Sequence, residues 1–194
     1  MGRRSTLREP AIFSAVAKAL ADAGTVTLAD IVEATGVAMG SLYHRYGSRE
    51  GLLAAAWLDA LQAFVATMAP LLRSTAPDAG VTAATGTTRF CRAEPERAII
   101  LACCRQSEFF TANSDPAITA KIEALNESIA GALVQFAKQQ NLSLQAARLG
   151  LVSFPLGAVR QFLPRQSIPE EIDTYVAAAY KATVANYRST AQPA

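Results

Sequence analysis

Apolar side chains recur along the chain at helical spacing, and no strict apolar/polar alternation persists. In the first segment Ile12, Val16 and Leu20 stand at i, i+4 and i+8, with Phe13 and Ala17 beside them, and Gly24 supplies a stop. Thr27 then caps a second helix, with Asp30 placed near its positive end. This helix buries Leu28, Ile31 and Val32 and ends by Gly36. A short third helix spans about 38–46, and Ser48 caps a fourth with the stripe Leu53, Trp57, Leu61, Phe64 and Met68. After the loop RSTAPDAG, residues 73–80, a fifth helix covers 81–92 and a sixth runs from Pro95 through Phe110. The fifth is so rich in Thr, Ala and Gly that loose packing is expected. Asp115-Pro116 opens a seventh helix with the stripe Ile118, Ile122, Leu125, Ile129, Leu133 and Phe136. Ser143 starts an eighth, apolar nearly all round, with a kink expected at Pro155. Residues 168–171 start a ninth, with Ile172, Val176, Ala179, Thr183 and Tyr187 on one face. The pattern predicts an all-α fold of about nine helices.

Composition sharpens this picture. Of 194 residues, 51% are hydrophobic and 18% charged, so a substantial core is available. The net charge of +2 creates no global basic field. A local one can form from Arg3, Arg4 and Arg8, read as a basic arm, together with Arg45 and Arg49. The N-terminus has no apolar run and is not read as a signal peptide, although Gly2 and Thr6 fit the short myristoylation pattern. The longest weakly charged run, 51–72, is interrupted by Asp59, Gln62 and Pro70. A carboxylate near mid-membrane costs about 3 kcal/mol, so the run is read as a core helix.

Candidate chemistry is sparse. The three cysteines, 91, 103 and 104, form neither a disulfide framework nor a zinc spacing. Adjacent Cys103 and Cys104 are read as small buried hydrophobes, with a redox switch as the alternative, and three thiols without a framework fit a reducing cytoplasm. The sole histidine, His44, has no second histidine to share a metal with. No catalytic constellation and no cofactor site stand out.

The stretch TVTLADIVEATGVAMGSLYHRYGSREGLL, residues 25–53, concentrates the remaining signal. Two short helices meet at Gly36, which can take the left-handed conformation a tight turn needs. Val37 can plug the space between them. Ile31 and Val32 face inward from one helix, and Leu42 and Tyr46 from the other. Ala38, Met39, Ser41 and Arg45 are left facing outward, with Tyr43 and His44 at the flanks. That is the layout of a helix-turn-helix that lays its second helix in a DNA major groove.

This stretch resembles the TetR family of transcriptional repressors. The matches are Ile31, Gly36-Val37, Leu42-Tyr43, Tyr46 and Ser48-Arg49-Glu50-x-Leu52, preceded by Arg8, Ile12-Phe13, Ala15 and Gly24. The resemblance is specific over residues 8–53 and covers architecture alone beyond them. It implies that Thr27, Tyr43, His44 and Arg49 touch phosphates while Ala38, Met39, Gly40 and Ser41 approach base edges. Val32 replaces the family's usual alanine, and Met39 stands where a polar residue is common. Base reading is therefore expected to use apolar contact with thymine methyls and one hydroxyl from Ser41.

The resemblance further implies a DNA-binding domain, residues 1–47, followed by a ligand-binding and dimerising domain, residues 48–194. The expected protein is a homodimeric repressor, released from a palindromic operator by a small molecule. An eighth helix apolar on all sides needs cover. A second subunit can supply it, through Leu151, Phe154, Val159, Val176 and Tyr180; burial within the monomer is the alternative. The ligand is expected between helices four and eight, among Trp57, Phe64, Phe90, Gln106, Phe109, Phe110 and Phe154, with Arg160 as a further polar group. It is expected to be mostly apolar, and weakly polar or anionic. Two other functions remain open: a helical ligand carrier or enzyme with a vestigial helix-turn-helix, and a helical adaptor that binds only protein.

Overall fold

The polar residues at the helix starts close their helices as the sequence suggests. In the computed structural model, which describes residues 9–110 and 115–191, Thr27 forms a reciprocal capping box with Asp30. Ser48, Asp115 and Ser143 accept from the first turns of their own helices. The described residues contain nine helices and no strand. They are α1 (Glu9–Ala23), α2 (Leu28–Thr35), α3 (Met39–Tyr46), α4 (Arg49–Arg73), α5 (Ala79–Ala93) and α6 (Pro95–Cys103), followed by α7 (Pro116–Gln139), α8 (Leu144–Val159) and α9 (Ile172–Ala191). The Arg3, Arg4 and Arg8 arm and the Gly2 pattern lie outside the described residues.

One apolar core runs through α1–α4 and on into α6 and α7. It joins Ile12 and Val16 to Ile31, Leu42, Leu53, Trp57, Ile100 and Ile122. A second core is built where α5, α7, α8 and α9 meet the end of α4, around Leu72, Phe136, Leu151 and Val176. By length and composition α4 could cross a membrane, but Leu52, Leu53, Leu61, Val65 and Leu72 on it are buried among the other helices.

The structure departs from the sequence pattern in three places. The sixth helix ends at Cys103 rather than Phe110, and a 3-10 turn, Gln106–Glu108, follows. Ile100 and Phe109 are nine residues apart, which would put them on opposite sides of a continuous helix. Both are 1% exposed, so the helix must break between them to bury both. In α8, the chain answers Pro155 with a wide π-type turn over Leu149–Ser153, in which the Phe154 N–H donates to the Leu149 carbonyl. The ninth helix begins at Ile172, after a turn through 169–171.

Two expectations about packing are corrected. The small residues of α5 do not leave it loose. Ala83, Ala84, Thr85, Gly86, Thr87 and Thr88 are buried, and a Cβ on Gly86 would come 2.7 Å from the Met68 sulfur. Small side chains here allow close approach of neighbours, not empty space. The cover for α8 also comes largely from its own chain. Leu151 and Val176 are each 2% exposed, Val159 1% and Tyr180 7%, so these four are core residues of a single subunit and present no surface to a partner. Tyr180 packs against Gly80 and Gly150, where any Cβ would collide with its ring or hydroxyl. Phe154, 42% exposed, is the one residue of the expected interface that faces outward.

Candidate DNA-binding surface and ligand cavity

The helix-turn-helix geometry follows from a few local choices. Gly36 ends α2 at φ +69°, and its N–H donates to the Val32 carbonyl. A residue with a Cβ would be strained at that angle. Val37 packs half-buried against the core beside Val32. Leu42 is fully buried, and Tyr46, half-buried, stacks at 6.4 Å from Phe13. Anchoring Leu42 and Tyr46 turns the opposite face of α3 to solvent. Ala38, Met39, Gly40, Tyr43 and His44 are exposed there, and Ser41 is half-buried. Thr27 is exposed at the start of α2, its hydroxyl accepting from the Asp30 N–H. No side chain caps α3 at Ala38, so the first N–H groups of that helix point outward at its positive end.

Two arginines near this face are already engaged. Arg45 pairs with Glu9 and lies 5.8 Å from the Tyr46 ring centroid, tying α3 to the start of α1. Arg49 donates from Nε to the Val26 carbonyl at 2.5 Å and faces Glu108 at 3.2 Å and Glu50 at 3.6 Å. One guanidinium thus links the loop before α2, the start of α4 and the 3-10 turn after α6. This tether was not readable from the sequence, because Glu108 reaches Arg49 only through the unforeseen break in the sixth helix.

A cavity of about 400 Å³ lies under α4, α5, α6, α7 and α8, within the usual range for small-molecule sites. Trp57, Phe64, Phe90 and Gln106 line it. Phe109 does not: it is buried behind the wall, 5.7 Å from the Trp57 ring, with Phe110 against it at 5.1 Å. Phe154 points away on the outer side of α8. Of the α5 threonines only Thr87 reaches the cavity, and Arg160 lies on its rim. Sequence reasoning missed the contribution of α7, where Asn126, Ile129 and Leu133 complete the lining. The stripe that carries Ile129 and Leu133 was legible, but nothing in it separates a cavity wall from a core contact.

The cysteines behave as buried hydrophobes. Burial pushes the Cys91 thiol up to about 11 and the Cys104 thiol to about 12, and it raises Cys103 as well. Among the described residues no group of His, Cys, Asp and Glu could hold a metal.

An exposed recognition-type helix, sharing its core with a helical bundle that holds a cavity, has the layout of a helix-turn-helix protein. Residues 13–56, which span the helix-turn-helix and the start of α4, match the family described as bacterial regulatory proteins, tetR family. Among solved structures, the chain is similar to PfmR, a TetR family transcriptional regulator from Thermus thermophilus. That match has 21% identity and a TM-score of 0.69, over 90% of this chain and 97% of the other. It is also similar to the fatty acid degradation regulator FadR from Bacillus halodurans, at 15% identity and a TM-score of 0.66, over 96% and 99% of the two chains. A third likeness is to FadR from Bacillus subtilis in complex with stearoyl-CoA, at 12% identity and a TM-score of 0.61, over 90% and 97%. At these identities the likeness is one of fold. No curated protein matches the sequence.

Proposed function

We propose that the protein is a cytoplasmic homodimeric repressor that leaves a palindromic operator when a small apolar ligand fills the α4–α8 cavity. The observation that carries this reading is the sharing of one apolar core by the helix-turn-helix and the Trp57 wall of the cavity. A change at the cavity can be felt at α3 through that shared core.

In this reading residues 1–47 serve DNA and residues 48–194 serve ligand and dimer. Tyr43, His44, Thr27 and Arg49 hold phosphates. Ala38, Met39, Gly40 and Ser41 face base edges, mainly through apolar contact. One eight-residue recognition helix covers too few base pairs to select a site. Two copies, one helical turn apart or a multiple of it (about 34–36 Å), are selective. The dimer face is drawn from apolar groups the single chain leaves open: Leu149 and Val152 on α8, Phe154, and Tyr175 on α9.

The ligand is mostly hydrocarbon, given walls of Leu61, Phe64, Phe90, Ile129 and Leu133. The stearoyl-CoA held by the FadR from Bacillus subtilis is consistent with that class. Its arrival displaces the 3-10 turn through Trp57 and Phe109, which works Glu108 against Arg49 and shifts α4 relative to α3. A ligand acts this way only by binding the two forms unequally.

Electrophoretic mobility shift with DNA from upstream of the protein's own gene is the direct test. A specific complex released by medium-chain fatty acids or acyl-CoA supports the reading. No specific complex with that DNA, or a complex indifferent to apolar compounds and released by a highly polar metabolite, overturns it.

A further inference from the structure

Trp57 lines the cavity and carries a buried donor for which the described residues provide no acceptor. The side chain is 7% exposed, and its Nε1–H has no hydrogen-bond partner among the described residues. An indole N–H can only donate, so rotation or proton exchange cannot satisfy it. Its surroundings are hydrocarbon: Leu53 and Leu61 share its helix and its core, and Phe109 leans on the ring at an interplanar angle of 45°. A phenylalanine would fill an apolar wall without leaving a donor unpaired, and buried indoles normally find a partner.

The remaining polar groups differ from it. Gln106, Asn126 and Arg160 line the cavity but are exposed residues, so they mark its mouth, and the buried Thr87 hydroxyl can accept as well as donate. Trp57 is the lining residue whose buried group can only donate.

We propose that Trp57 Nε1–H donates to a carbonyl or carboxylate oxygen of the cavity's occupant, so that the ligand class is an acyl compound: a hydrocarbon tail with one acceptor oxygen close to Trp57. This rests on the reading of the cavity as the ligand site and deepens it. The indole then separates acyl compounds from plain hydrocarbons of the same size. Discrimination by a buried polar group is large because the wrong ligand leaves that group unpaired.

The full chain contains a single tryptophan, so ¹⁵N-indole labelling gives one side-chain signal that belongs to Trp57. The probes are 2-nonanone and decanoate, which carry an acceptor, and 1-nonene, which does not. The expected result is a downfield shift of the indole proton with 2-nonanone and decanoate and none with 1-nonene, although all three perturb the methyl signals of Leu61, Ile129 and Leu133. Trp57→Phe keeps an aromatic ring in the wall and loses the donor, together with one ring's volume. It should weaken 2-nonanone about tenfold and leave 1-nonene within twofold. If all probes perturb the methyl signals but the indole proton stays in place and Trp57→Phe binds 2-nonanone unchanged, the assignment to Trp57 is wrong and the cavity reading stands. If no probe perturbs the methyl signals, the cavity reading fails and this proposal fails with it. The indole measurement is made on the wild-type chain and does not depend on the variant folding.

Discussion

Arg49 and Glu108 meet at 3.2 Å, each side chain a little over one quarter exposed, and the pair bridges the start of α4 to the turn that borders the cavity. Arg49 simultaneously holds the Val26 carbonyl in front of α2. Removing the carboxylate with Glu108→Gln should loosen both ends. Hydrogen exchange should rise at residues 105–109 and 25–28 together. The substitution should also weaken the effect of a cavity ligand on DNA affinity. Exchange that rises at neither segment would show that the pair does not hold the two modules together.

Arg49 is also the proposed phosphate contact, and salt dependence checks that role. Arg49→Ala should weaken binding to all sequences alike and lower the salt slope by about one unit. Met39→Ala should leave the slope alone and change preference at particular base pairs, because Met39 faces outward from α3 without a charge. A changed preference with an intact slope in Arg49→Ala would reverse these assignments.

The open apolar groups on α8 make a dimer test concrete. Val152 is 45% exposed on the helix face that carries Leu149. Val152→Asp should yield folded monomers in sedimentation and much weaker operator binding. A charge at Val176 should instead unfold the subunit, since Val176 is buried within it. A wild type that sediments as a monomer at micromolar concentration would remove the basis for a palindromic site.

Asp173 on α9 accepts hydrogen bonds from Thr88 and from Arg92, the latter at 2.6 Å. Burial pushes its carboxyl up, but these bonds and the arginine charge outweigh that and hold it below the usual aspartate range. A lowered folded-state value stabilises the fold above the ordinary carboxylate range, and the stabilisation is lost as pH falls through the folded value. Asp173→Asn should cost about 1–3 kcal/mol at neutral pH by urea denaturation, and the difference should shrink below pH ~4.

The thiols give a test at the other end of the pH scale. Cys91 and Cys104 ionise in the fold only near 11 and 12, against an ordinary value of 9.0. A raised folded-state value means stability present below about pH 9 and lost as pH rises through the folded values. Near pH 8 a maleimide should label the half-buried Cys103 first, and Cys91 and Cys104 at the rate of opening. Fast labelling of Cys104 in the native state would contradict its burial.

The sequence by itself determined what is local. Thr27, Ser48, Asp115 and Ser143 fix helix starts because a cap needs only its own first turn. Gly36 with Leu42 and Tyr46 fixed the helix-turn-helix because its turn and its inward pair lie within eleven positions of each other. Trp57, Phe64, Phe90 and Gln106 were legible as a cavity lining from their size and their place on neighbouring helices. Only the tertiary structure decided the rest. Whether an apolar stripe meets a partner, a cavity or its own core depends on what packs over it, and period alone does not encode that. Val176 and Tyr180 turned inward because Gly80 and Gly150 admit the tyrosine ring. The small residues of α5 closed up instead of leaving room. The break after Cys103 arose because Ile100 and Phe109 cannot both be buried on one straight helix, and that break carries Glu108 to Arg49.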